Sequence, residues 1–176
     1  DGYFTRMLSD VVGPTGHVYG LDNKGWGNAT SLAAALSAGR YTNASAGEDV
    51  FGAVHFPKPL DLAWVTQNYH DLKIAKYGVV DTLAFDRKVF AALKPGGIFF
   101  ILDHDAAPGL DSNGIARLHR IPKAQVIREV TAAGFTLVAQ GDFLHRTSDD
   151  HTLPVSDKRV QGHTDQYALR FEKPRG

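Results

Sequence analysis

The sequence predicts a doubly wound α/β fold whose mostly parallel sheet closes with a C-terminal antiparallel strand. Three observations predict it. Short apolar runs alternate with stretches of helical periodicity along most of the chain. Two of those runs, Leu60 to Trp64 and Gly96 to Leu102, break off into ionisable side chains, as buried strands do where they leave a sheet. Two alternating segments then follow one another near the C-terminus, the rhythm of a late strand pair.

The elements follow in order. Tyr3 to Val12 reads as a helix with Phe4, Met7, Leu8 and Val11 at helical spacing, stopped by Gly13-Pro14. Gly16 turns into a short strand, His17 to Leu21, ending at Asp22. Residues 29 to 38 are Ala-rich and helical, and 39 to 59 are punctuated by Gly, Asn and Pro with one short strand inside. Asp61 to Thr66 has the near-continuous apolar pattern of a strand covered on both faces. Val79 to Leu93 is helical, with Val79, Val80, Leu83, Phe90 and Leu93 on one side. Lys94-Pro95-Gly96-Gly97 ends that helix and leads into the strand that stops at Asp103. Pro122 suits a first helical turn, Val126, Ile127 and Val130 form its stripe, and Gly134 ends it. Phe135 to Phe143 and Gln166 to Lys173 are the late strands, joined by a long polar loop.

A chain of 176 residues with 43% hydrophobic content can bury one full core and is expected to be a single domain. A formal net charge of zero gives no footprint for nucleic acid or for an acidic membrane surface. The absence of Cys removes disulfides, thiolate catalysis and zinc-thiolate sites together. No run approaches the roughly 18 apolar residues of a membrane span, and no signal peptide is visible.

The strand ends carry the chemistry. Asn68, Tyr69, His70 and Asp71 follow one strand and supply an amide, a phenol, an imidazole and a carboxylate, enough to orient a nucleophile and remove its proton. Singly, each has a bland reading: Asn68 caps a turn, Tyr69 packs, and His70-Asp71 starts a helix. Asp103, His104 and Asp105 end the other strand, as a second wall of a small-molecule site or as a loop start with Asp103 capping and His104 bonded to backbone. His119 and Arg120 precede a helix and would cover the pocket. Arg120 would act as an anion clamp through a bidentate fork, or as a surface salt bridge. His145, Asp149, Asp150, His151 and His163 crowd the late loop, where solvated side chains are the default.

The chain resembles the class I S-adenosylmethionine-dependent methyltransferases. The residues that carry the resemblance are Gly2, Asp22 after the second strand of that family, and Leu93-Lys94-Pro95-Gly96-Gly97 before its fifth. More narrowly it is similar to a group of bacterial predicted methyltransferases, often exported, through Gly2 to Thr5, Gln67 to Asp71, Asp103-His104, Leu118 to Ile121, Asp149 to His151 and Thr164 to Gln166. The resemblance implies a Rossmann-like sheet, S-adenosylmethionine as cofactor and methyl transfer to a small-molecule acceptor. It implies cofactor contacts at Gly2, Tyr3, Asp22 and Asn68, with Asp22 accepting hydrogen bonds from two ribose hydroxyls. Gly2 has a plainer reading as a turn glycine and Asp22 as a cap. Acceptor chemistry would fall to His70, Asp71 and His104, and acceptor binding to Tyr69, Asp103, His119 and Arg120. His70 is the expected general base, since an imidazole of pKa about 6.5 accepts a proton near neutrality. The resemblance also implies export to the periplasm, with the cytoplasm left open.

Only the last glycine of the family's motif is present, as Gly2, so the chain is expected either to be a fragment lacking the first strand or to have rebuilt its sheet. Two other functions stay open. A divalent-metal enzyme of this fold would use Asp71, Asp103 and His104, although no ligand spacing supports it and no metal ligand is assigned. A non-catalytic binding protein would keep the fold and have lost the cofactor.

Overall fold

The computed structural model describes residues 2–38, 41–56 and 59–176. Part of the segment 39–59, read from sequence only as punctuated loop, lies outside them. The chain divides into two compact units, Asp1–Val54 and His55–Gly176.

In the first unit α1 (Tyr3–Val12) is followed by β1 (Val18–Asn23), α2 (Ala29–Ser37) and β2 (Ala44–Asp49). β2 is the short strand expected within 39–59. The two strands pair in parallel, Val18 opposite Ala44 and Asp22 opposite Glu48. Asn43 binds the end of α1 to the start of β2, its Nδ2 donating to the carbonyls of Ser9 at 2.9 Å and Gly13 at 2.7 Å while its Oδ1 accepts from the Ser9 hydroxyl. The apolar spacing along α1 does not translate into burial. Val11 is 74% exposed and Phe4 38%, and Ser9 is the only residue of the helix that is buried. Within this unit α1 has little to pack against beyond β1 and the Asn43 tether.

In the second unit β3 (Leu60–Thr66) leads through two single 3-10 turns to α3 (Thr82–Ala92), β4 (Leu93–His104), α4 (Ser112–Leu118), α5 (Lys123–Ala132), β5 (Thr136–Gly141) and β6 (Gln166–Glu172). The sheet order is β3-β4-β6-β5. β3 and β4 are parallel, with Thr66 opposite Leu102; β6 runs antiparallel to both β4 and β5, with His104 opposite Gln166. This is the mixed α/β sheet with a C-terminal antiparallel strand that the sequence predicts. Its core is Phe99 and Ile101 of β4, Leu169 and Phe171 of β6, Phe85 and Val89 of α3 and Val126 and Val130 of α5, each worth roughly 1.5–3 kcal/mol on burial. Phe135 stacks edge-on against Phe90 at 5.0 Å and tilts over Phe99 at 5.4 Å.

Three expectations are corrected here. β3 is not covered on both faces: Asp61 and Leu62, consecutive residues that point to opposite faces, are both exposed. α3 begins at Thr82 rather than Val79, since Asp81 caps it by accepting from the Ala84 amide at 3.1 Å, and Val79 is left 67% exposed beside Gly78. Lys94 to Gly97 is not a turn outside the strand but its irregular start. Gly96, at φ 78°, donates to the Lys173 carbonyl at 2.8 Å, and the β3 to β4 register slips between Leu60 and Leu62 to absorb it. α4, which the sequence reading passed over, starts from Asp111, whose Oδ1 accepts from the Gly114 amide at 2.7 Å.

Candidate active site at the ends of β3 and β4

Burial along β4 alternates strictly from Gly97 onward, so Asp103 falls on the same face as Phe99 and Ile101 and His104 on the other. A carboxylate in that position must be paired to be tolerated. Asp103 is fully buried and accepts three hydrogen bonds: from His70 Nδ1 at 2.7 Å, from the His70 backbone amide at 2.9 Å and from the His104 backbone amide at 2.8 Å.

His70 reaches it because β3 ends in a reversal. Gln67 continues the ladder by donating its amide to the Leu102 carbonyl at 2.7 Å, then takes a left-handed φ of 55°, and the chain turns into the 3-10 segment His70–Lys73. The other imidazole nitrogen, Nε2, lies 3.2 Å from Asp71 Oδ1. Burial alone would lower the His70 pKa, but Asp103 and then Asp71 outweigh it and raise it to about 10. His70 therefore carries its proton at neutral pH, which departs from the expectation of a base poised there. Asp71 is held below its ordinary value: burial opposes this, and the His70 imidazole, Asn68 and His119 overcome it.

His119 approaches from the end of α4. It is the residue after the helix, at φ 53° and ψ 48°, with its amide donating to the Ile115 carbonyl. Its Nδ1 is 3.3 Å from Asp71 Oδ1, and its ring stands edge-on to His70 with centroids 5.3 Å apart. Asn68, exposed, donates to the second Asp71 oxygen at 3.0 Å. His104 pairs Nδ1 with the Thr164 hydroxyl at 2.8 Å, and its ring centroid is 6.0 Å from that of His70. Burial, aided by the His70 and Arg120 charges, takes the His104 pKa down to about 4 against the pull of Asp103, so this imidazole is neutral. The structure thus brings Asn68, His70, Asp71, Asp103, His104 and His119 together at one end of the second unit's sheet.

Two expected acceptor-binding residues are placed elsewhere. Tyr69 is 0% exposed, with its hydroxyl 2.8 Å from Asp86 Oδ2 and 3.2 Å from Glu129 Oε2. Arg120 is also 0% exposed. Its Nε donates to the Leu153 carbonyl at 2.9 Å, one terminal nitrogen to the Asp105 carbonyl at 3.0 Å, and the other to Asp149 at 2.8 and 3.1 Å. Both side chains are buried and hydrogen-bonded within the protein, unlike the solvent-facing acceptor-binding residues expected from sequence. The late loop is likewise less solvated than its composition implies: Asp149 and Asp165 are buried, and Asp165 is flanked by His145 and His151 at 2.9 Å each. Thr164, the partner of His104, was visible in sequence only as part of the Thr-Asp-Gln segment.

In the first unit, Gly2 has φ 69° and a Cβ there would come within 2.2 Å of Leu32 Cδ1. The same leucine lies 2.5 Å from where a Gly20 Cβ would be. Both glycines thus let α2 approach closely. Tyr3 is 61% exposed and stacks edge-on with Phe4 at 5.2 Å. Asp22 sits at the carboxyl end of β1 and accepts from the Asn28 amide at 2.7 Å through Oδ2, while Oδ1 accepts no hydrogen bond among the described residues. A fixed carboxylate at a strand end fits the adenosyl cofactor's diol.

No family model and no curated protein matches the chain. Solved structures do. An S-adenosylmethionine-dependent methyltransferase from Mesorhizobium loti is 18% identical with a TM-score of 0.63, covering 97% of this chain and 86% of its own. One from Aquifex aeolicus is 14% identical with a TM-score of 0.66, covering 98% and 77%. The cyclase SpnF is 18% identical with a TM-score of 0.64, covering 97% and 82%. With its parallel strand pairs, its antiparallel closing strand and these likenesses together, the chain has the fold of the class I S-adenosylmethionine-dependent methyltransferases.

Proposed function

We propose that the chain is an S-adenosylmethionine-dependent methyltransferase acting on a small-molecule acceptor. The observation that carries this reading is the convergence of His70, Asp71, Asp103 and His104 at the carboxyl ends of adjacent parallel strands, where folds of this kind bind ligands. The fold supports it without deciding the reaction, since a cyclase shares that fold.

S-adenosylmethionine, when bound, supplies an electrophilic methyl on sulfonium sulfur. The protein's task is to hold the acceptor in line with it. Asp22 would hold the cofactor's diol, with Gly2 and Tyr3 at the head of α1 as the further residues of the first unit that would contact it. His104, neutral and with Nδ1 hydrogen-bonded to the Thr164 hydroxyl, orients the acceptor through Nε2. Asp71 and the partly exposed His119 line the approach, while Asp103 sets the ring of His70.

Titration calorimetry with S-adenosylmethionine and S-adenosylhomocysteine tests the reading. Both are expected to bind, with the affinity falling at least about tenfold, about 1.4 kcal/mol, in Asp22→Ala. Absence of binding by either compound overturns it.

A further inference from the structure

The geometry points to a divalent transition-metal site formed by His70 Nε2, Asp71 Oδ1 and His119 Nδ1. The inference stands on the second unit alone and does not depend on the methyl-transfer reading.

Four observations carry it. The three ligand atoms lie within 4.8 Å of one another. Asp71 Oδ1 is 3.2 Å from one imidazole nitrogen and 3.3 Å from the other, close to the separation of about 3.3 Å between ligands around a tetrahedral ion with bonds of about 2.0–2.1 Å. Asp71 Oδ1 is also buried without a hydrogen-bond partner among the described residues. The two imidazole nitrogens that flank it stand at ion-pair distance without meeting hydrogen-bond geometry. Three ligand atoms gathered this closely around a buried carboxylate oxygen that accepts no hydrogen bond form an arrangement a cation can organise.

The surroundings match as well. Asp103 accepts from His70 Nδ1 at 2.7 Å, which fixes that nitrogen as the protonated one and turns Nε2 toward Asp71, as carboxylates do behind metal-binding histidines. Asn68 occupies the remaining Asp71 oxygen at 3.0 Å, leaving Oδ1 as the coordinating atom. His119 holds a left-handed backbone conformation where a helix would ordinarily end on Gly. Such strain in a non-Gly residue is kept where the side chain is needed.

Two imidazoles and one carboxylate suit zinc, cobalt or ferrous iron better than magnesium or calcium. Three protein ligands leave at least one coordination position open, on the side where His119 is 34% exposed and Asp71 13%. On binding, the ion replaces the Nε2 proton of His70, which leaves to solvent, while the Nδ1 proton remains on its bond to Asp103.

The test uses the chain after dialysis against a chelator, titrated with Zn²⁺ by calorimetry and with Co²⁺ by visible absorption. One equivalent is expected to bind, giving a Co²⁺ d–d spectrum. Binding should weaken at least about tenfold in Asp71→Asn and in His119→Gly, and persist in His163→Ala. His119→Gly keeps the backbone in a conformation glycine prefers, so it remains folded and informative even if Asp71→Asn does not. Lack of saturable binding tighter than about 10 μM would make the cluster an ion-pair network and overturn the site. Binding that survives both Asp71→Asn and His119→Gly overturns it too, by placing the ion elsewhere.

Discussion

Asp103 grips His70 at two points, accepting from its ring Nδ1 at 2.7 Å and from its backbone amide at 2.9 Å. One buried carboxylate therefore fixes both the course of the chain after β3 and the orientation of the imidazole. Asp103→Asn replaces one acceptor oxygen by a donor facing existing donors. A loss of about 3–5 kcal/mol is expected, the cost of breaking a buried pair, measurable by urea unfolding. Unchanged stability would show that the pair does not organise the site.

Arg120 is expected to behave as a structural residue. Arg120→Ala removes the cation paired with buried Asp149 and the donor to two carbonyls, and about 3–5 kcal/mol should be lost. Arg120→Lys should recover only part of this, since an ammonium cannot span three acceptors set for a planar fork. If either variant leaves the melting temperature in place and changes only ligand affinity, the clamp reading returns.

The Tyr69, Asp86 and Glu129 cluster gives a pH dependence. Burial raises the Asp86 carboxyl from 3.8 to about 7, with Glu129 adding to the rise and Tyr69 opposing it. The folded state then binds more protons than the unfolded state between those values, so stability declines as the pH rises from about 4 to about 7, by up to about 4 kcal/mol. Asp86→Asn, which resembles the neutral acid, should flatten that part of the profile in unfolding measured at pH 5 and pH 7.5. Parallel slopes for the two proteins would remove Asp86 as the cause.

In the first unit, Gly2→Ala sets a Cβ against Leu32 at a positive φ and should destabilise by more than about 1 kcal/mol. Leu32→Ala in the same chain should relieve the steric part, so a double-mutant cycle is expected to show favourable coupling between the two substitutions. Additive losses would mean the two positions do not touch.

Much of this was legible in sequence, for identifiable reasons. The bounds of α1 follow from Gly13-Pro14, and β4 was visible because Ile98 to Leu102 has no other plausible use. That His70 and Asp103 share one end of a sheet followed from the pattern of the two strand ends. That they pair did not, because it depends on the register that sets Thr66 opposite Leu102. The fate of Arg120 was hidden for a similar reason: its acceptors lie 15, 29 and 33 residues away. Position 119 looked like part of a loop because a seven-residue helix containing Gly114 gives little periodicity, and nothing in the sequence announces a left-handed histidine at its end.

β1 and β3 each stand at the margin of their sheet with no described strand on the outer side. A parallel strand left so is a template for any extended chain, and a run such as Ala63-Trp64-Val65 beside it lacks the lysines or prolines that usually deter such pairing.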